Sequence, residues 1–196
     1  MILETILSTE DVDGKTHYAP IGVIIPGSFP DYPESPDQIR ELQLRLYPGS
    51  RTYENLLARG EGVVNLTENV MYFADASLRE SCGGLASEKV KPRRLADTAG
   101  FWEFSVTLFE TVREPALVKG RILYYFEPRG FFGLCRAHGA VLEAAVAVSR
   151  RRFMPKQAIE TPWPAWRDIV EKTGGVREQQ AFDILTEKLI CEGFSL

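Results

Sequence analysis

The sequence predicts an α+β protein that is mainly β: a strand-rich body of about 130 residues followed by a helical region. Three observations carry this. Leu42, Leu44 and Leu46 alternate with Gln43, Arg45 and Tyr47, and Trp102, Phe104, Val106 and Leu108 alternate with polar neighbours. A period of two is that of a half-buried strand. Asp13-Gly14 is a hairpin turn signal. After Pro128 the apolar spacing changes to three and four, as in Ala140, Val141, Ala144, Ala145 and Val148.

Each element follows from local chemistry. Ile2 to Leu7 is a first strand, and Thr16 to Ile25 returns after the Asp-Gly turn. On the return His17, Ala19, Ile21 and Val23 share one face, and Tyr18, Pro20, Gly22 and Ile24 the other. Pro20 has no N–H for a ladder, so this strand is expected at an edge or a bulge. Four prolines in 26–37 predict an irregular loop. Glu41 to Tyr47 is a strand, and Pro48-Gly49-Ser50 a turn. Thr52 to Arg59 is a short helix with Ser50 or Thr52 as N-cap, ended by Gly60. Gly62 to Thr67 is a strand and Asn69 to Leu78 a helix, before a polar loop over 79–99. Trp102 onward and Val118 to Phe126 form a hairpin about Pro115. Three helices follow: Ala137 to Arg152, Ala165 to Lys172 with a glycine C-cap at Gly174-Gly175, and Val176 to Cys191. The expected domains are residues 1–130 and residues 131–196.

Composition narrows the function. The chain has 196 residues, 44% hydrophobic and 26% charged, which excludes global disorder. No apolar run reaches the ~18 residues of a membrane span, so no membrane partner is expected. The start MILETILSTEDVDG lacks a basic n-region, so a cytoplasmic protein is expected. A net charge of −4 disfavours nucleic acid as a partner. Cys82, Cys135 and Cys191 form no CxxC, and His17 and His138 have no ligand-spaced partner, so no metal is expected. GxGxxG, Walker A and GxSxG patterns are absent. Chemistry, if any, is expected from a bound cofactor.

The stretch LRLYPGSRTYENLLARGEGVVN, Leu44 to Asn65, is the most informative. It sets Arg45 on the polar face of a strand and opens a helix with Ser50, Arg51 and Thr52. Free N–H groups, a positive dipole, hydroxyls and guanidinium together suit one phosphate. The plainer alternative is that Ser50 and Thr52 only cap the helix and the arginines are solvated. His17 either touches a ligand or satisfies a backbone carbonyl. Arg136 and His138, at a helix start, either meet an anion or are structural. Cys135, just before that helix start, reads either as a stabilised thiolate or as a buried inert thiol, and Lys89 to Arg94 as a solvated loop, a lid or a contact for an acidic substrate.

Thr52, Asn55 and the strand-ending Asn65 resemble the Thr-x-x-Asn and Asn positions of flavin-reductase-like, FMN-binding split-barrel proteins. The chain is similar in particular to an archaeal and bacterial branch catalogued as a domain of unknown function. The likeness rests on MILETIL, Asp13-Gly14, His17-Tyr18-Ala19-Pro20-Ile21-Gly22-Val23, Leu44 to Ser50, Thr52-Tyr53 and Asn55-Leu56. It continues in Arg136-Ala137, Gly139-Ala140-Val141, Glu143-Ala144 and Val170 to Gly175. The resemblance implies a split β-barrel with a C-terminal helical region, holding FMN at or near a homodimer interface. It implies Ser50, Arg51, Thr52 and Asn55 on the phosphate and ribityl chain, joined by Arg45. Ala19, Pro20 and Ile21 would lie along the isoalloxazine, and Asn65 would contact the ring or brace a loop. His17, Arg136 and His138 are candidates for substrate contact or support. The implied function is an FMN-binding flavoprotein: an oxidoreductase acting with a small-molecule substrate or electron donor, or a non-catalytic carrier or sensor. An interaction protein with an empty pocket is a third reading.

Overall fold

The computed structural model describes residues 2–26, 39–78, 83–126 and 135–196, so the proline-rich segment read as a loop lies largely outside the described residues. The chain forms two compact units, Met1–Thr67 with Ser81–Gly130, and Glu68–Glu80 with Phe131–Leu196.

The first unit is a closed barrel of six antiparallel strands. They are β1 (Ile2–Glu10), β2 (Thr16–Ile24), β3 (Glu41–Leu46), β4 (Glu61–Leu66), β5 (Gly100–Glu110) and β6 (Ala116–Phe126). Their order round the barrel is β1-β2-β3-β6-β5-β4. The Asp-Gly turn forms as its chemistry predicts. Asp11 Oδ1 accepts the N–H groups of Asp13 and Lys15 at 3.0 and 2.8 Å, and Gly14 takes φ 81°. β1 and β2 then pair in unbroken register from Glu10↔Thr16 to Ile2↔Ile24.

The alternating leucines point inward as the period requires. Leu42, Leu44 and Leu46 are buried with Leu7, Val23, Val64, Trp102, Phe104, Ala116 and Val118. Gly62 and Gly120 leave room for the Phe104 ring, since a Cβ at either would stand 2.7 or 2.5 Å from it. Helix α1 (Arg51–Arg59) closes the barrel end where β1, β3 and β5 finish. Tyr53 and Leu56 enter the core, and the Tyr53 ring meets Phe109 edge-on at 5.1 Å. At the far end of α1, Gly60 takes φ 67° and donates to Leu56 O. The Arg59 guanidinium donates to Asp11 O and Val12 O, tying α1 to the first hairpin.

The second unit holds α2 (Val70–Leu78), α3 (Arg136–Arg150), α4 (Lys156–Glu160), α5 (Trp163–Thr173) and α6 (Val176–Cys191). α2 lies between β4 and β5 in sequence yet packs with α3 and α6. The stripe of Ala140, Val141, Ala144, Ala145 and Val148 is buried throughout. Trp163 is buried too, its indole N–H donating to Thr186 Oγ1 at 3.1 Å. Two local expectations change. α5 starts at Trp163, not Ala165, and α4 is an additional turn of helix. Gly174 caps α5 as expected, its N–H donating to Val170 O at 2.8 Å, with extended backbone at φ −85°. Close packing explains the glycine, because a Cβ there would stand 2.7 Å from Val170 O and 2.9 Å from Glu178 Cβ.

Candidate functional site

At the start of α1, Ser50 has extended backbone and its Oγ accepts the Tyr53 N–H at 3.3 Å. That is the capping role. Arg51 is exposed at the first helical position, whereas Thr52 and Asn55 are buried to 3% and 4% exposure. Residues three apart share a helix face. Among the described residues, Asn55 Oδ1 and the Thr52 hydroxyl have no hydrogen-bond partner. The Asn55 amide is held from the other side: its Nδ2 donates to Thr9 Oγ1 on β1 at 3.0 Å. Thr9 stands opposite His17 on β2. The fold thus gathers Asn55, Thr9 and the His17 position at the barrel end that α1 closes. A positive helix start and the Arg51 charge favour an anion there.

β2 supplies the second part. Ala19 and Ile21 are on the barrel side, with Ile21 against the core, and Pro20 is on the outer side. A planar group can therefore meet all three only along the strand's edge. Among the described residues β2 meets β3 at a single register pair, Ile24↔Gln43, whereas β2 pairs with β1 over all nine residues. The missing Pro20 N–H fits an unladdered strand edge.

The other candidates fall into place around these. Asn65 is fully buried and saturated. Its Nδ2 donates to Ile6 O, Ser8 Oγ and Val63 O, and its Oδ1 accepts the Leu95 N–H at 2.8 Å. Of its two expected roles, these bonds are those of a brace for the 83–99 segment. That segment is a pinned strap. Leu85 and Arg94 exchange backbone bonds, and the Glu103 carboxylate accepts the N–H groups of Glu88, Lys89 and Val90. Against β2, Arg93 N–H donates to Thr16 Oγ1, and a Cβ at Gly84 would collide with the Tyr18 hydroxyl. Arg45 is exposed on the outer face of β3 and lines a cavity of about 320 Å³ with Glu110, Arg113, Glu114, Pro115 and Leu117. Arg136, His138 and Cys135 belong to the helical unit. Arg136 is exposed, His138 Nε2 lies 3.3 Å from Glu178 Oε1, and the Cys135 thiol donates to Thr173 O.

Thr9, Tyr18 and Glu103 do not stand out in the sequence. Thr9 and Glu103 act on residues more than ten positions away, which no local pattern encodes. Only their strand phase was available: Thr9 shares the inward face of β1 with Leu7. Among the described residues, no group of three His, Cys, Asp or Glu side chains could hold a metal ion. No helix among them is long and apolar enough to cross a membrane.

Family models for the protein of unknown function DUF447 match both parts of the chain, the N-terminal domain over residues 3–125 and the second over residues 135–187. Among solved structures, an FMN-bound DUF447 protein from Methanosarcina mazei is similar at 20% identity, over 95% of this chain and 94% of that one, with a TM-score of 0.73. The styrene monooxygenase flavin reductase of Pseudomonas putida S12 is similar at 17% identity, over 66% and 82%, with a TM-score of 0.50. The flavoredoxin of Desulfovibrio vulgaris is similar at 14% identity, over 65% and 70%, with a TM-score of 0.51. The barrel unit, then, has the fold of flavin-reductase-like split barrels, and the chain belongs to the DUF447 family.

Proposed function

We propose that this protein is an FMN-binding flavoprotein that acts as an oxidoreductase on a small-molecule substrate or electron donor. The observation that carries the reading is the pairing, in one barrel, of an anion-favouring helix start with a strand edge that is sparsely laddered among the described residues. Two nearly buried polar side chains, Thr52 and Asn55, keep oxygen atoms unpartnered by the described residues beside that helix start. Ser50, Arg51 and Thr52 suit a phosphate, because backbone N–H groups, hydroxyls and a guanidinium all donate. Asn55 suits the ribityl chain. The edge of β2 at Ala19, Pro20 and Ile21 suits a flat ring, and His17 stands two residues before Ala19 on the same strand face. Arg45 adds positive charge on β3, at the end of the barrel that carries α1. Asn65 acts through the strap it braces. The FMN bound by the Methanosarcina mazei protein supports the choice of cofactor.

FMN, when bound, supplies hydride and electron transfer. This chain's residues then have to hold it, expose one ring face and orient a second reactant. Orientation lowers the barrier without a dedicated base. We assign the flavin to the barrel unit within residues 1–130 and treat residues 131–196, with which Glu68–Glu80 form one compact unit, as a helical appendage, in a homodimer. Titration of the protein with FMN, followed by anaerobic addition of NADH or NADPH, tests this. Bleaching of the bound flavin's visible band is expected. Flavin that binds but resists both donors would leave a carrier or sensor, and a protein that takes up no FMN would end the proposal.

A further inference from the structure

Asn55 presents a question of orientation. A primary amide has a donor end and an acceptor end, and which end faces a ligand decides whether that ligand must donate or accept. Here the donor end is occupied. Asn55 Nδ2 gives a hydrogen bond to Thr9 Oγ1 at 3.0 Å, across 46 positions of sequence, and both residues are buried. Oδ1, on the opposite limb of the amide, has no partner among the described residues. Thr52 lies on the same face of α1, 3% exposed, with its hydroxyl also unpartnered. Thr9 is fully buried on the barrel side of β1, directly opposite His17 on β2. Both ends of the contact are firmly held. β1 is laddered to β2 and β4 at Thr9, and α1 is anchored by Arg59 to the first hairpin.

We propose that Thr9 is a positioning residue: by accepting the Asn55 N–H it turns Asn55 Oδ1 toward the cradle, where it accepts from a ligand hydroxyl. The inference rests on the flavin reading above and deepens it. The hydroxyl is one of the ribityl chain, so Thr9 selects for a ligand bearing a polyol between its ring and its phosphate. Thr9 itself does not touch the ligand. Without its oxygen the amide loses the partner that fixes its rotamer, and the bond to the ligand hydroxyl then carries the cost of ordering that side chain.

The test compares wild type, Thr9→Val, Thr9→Ser, Asn55→Ala and the Thr9→Val/Asn55→Ala pair, each titrated with FMN, riboflavin and lumiflavin, which lacks the ribityl chain. Thr9→Val is expected to weaken FMN and riboflavin alike, by about tenfold, and lumiflavin little. Thr9→Ser restores wild-type affinity, and Thr9→Val adds almost nothing once Asn55 is Ala, because the two act as one unit. Melting temperatures without ligand separate this from a loss of fold. Unchanged FMN affinity in Thr9→Val overturns the assignment. So does equal weakening of all three ligands without rescue by Ser, which marks Thr9 as merely structural. A wild type that binds neither FMN nor riboflavin ends the flavin reading itself, and this one with it.

Discussion

Ser50, Arg51, Thr52 and Asn55 occupy six positions but do different work. Ser50 caps, Arg51 brings charge to the surface, and Thr52 and Asn55 keep oxygens on a buried face. Charge-assisted hydrogen bonds contribute roughly 1.5–3 kcal/mol each. Arg51→Ala with Thr52→Val should therefore weaken FMN by roughly two to four factors of ten, less if the two are coupled. Riboflavin, without the phosphate, should change much less, and equal loss for both ligands would remove these residues from the phosphate. The hydrogen bonds of Asn65 support a prediction about stability. Asn65→Leu leaves the buried Leu95 N–H and Ser8 without their partner. The expected cost is about 2–4 kcal/mol in urea unfolding. The ratio of FMN to riboflavin affinity should stay put, and a changed ratio would mean that Asn65 reaches the flavin directly.

Among the elements, β2 and α1 were the most legible in sequence. The phase of His17 to Ile24, the Ser50 cap and the Gly60 stop are all local patterns, and all appear as expected. The strap was not legible. Its order comes from Glu103 and Asn65, which reach 13 to 30 positions along the chain. Gly174 caps α5 as its sequence predicts, but its extended backbone and the close approach of Val170 O and Glu178 Cβ depend on packing that no local pattern encodes. The helical unit makes its own prediction. Arg151 just past α3 grips Glu192 just past α6 at 2.6 and 3.0 Å, and Lys188 adds a second cation at 3.2 Å. The Arg151 hydrogen bond leads in holding the Glu192 carboxyl down to about 2, from an ordinary 4.5. A depressed acid stabilises the fold when ionised. That contribution is present above about pH 4.5 and is lost as pH falls through about 2. Arg151→Ala should thus melt below wild type at neutral pH, with the gap closing between those two values. A gap that is constant with pH would show that the pair contributes nothing through charge.

At the scale of the molecule, β2 and β3 close the barrel with one register pair among the described residues, and no local pattern marks that short seam except Pro20. The closed strand order and the company α2 keeps are likewise long-range properties, invisible to a reading by period and turn. The resemblance supplied the barrel, while the residues alone reached only as far as a strand-rich body with a helical tail. A C2 homodimer is expected, that being the commonest closed symmetry, and a monomeric mass by light scattering at micromolar concentration would contradict it. The central claim is that one turn and one helix start hold one phosphate, with no GxGxxG pattern in the sequence to take a pyrophosphate. Side-by-side calorimetric titration of the wild-type protein with FMN and FAD tests it most directly. The account predicts that FMN binds more tightly, and FAD bound about tenfold or more tightly than FMN, or no binding of either, would contradict it.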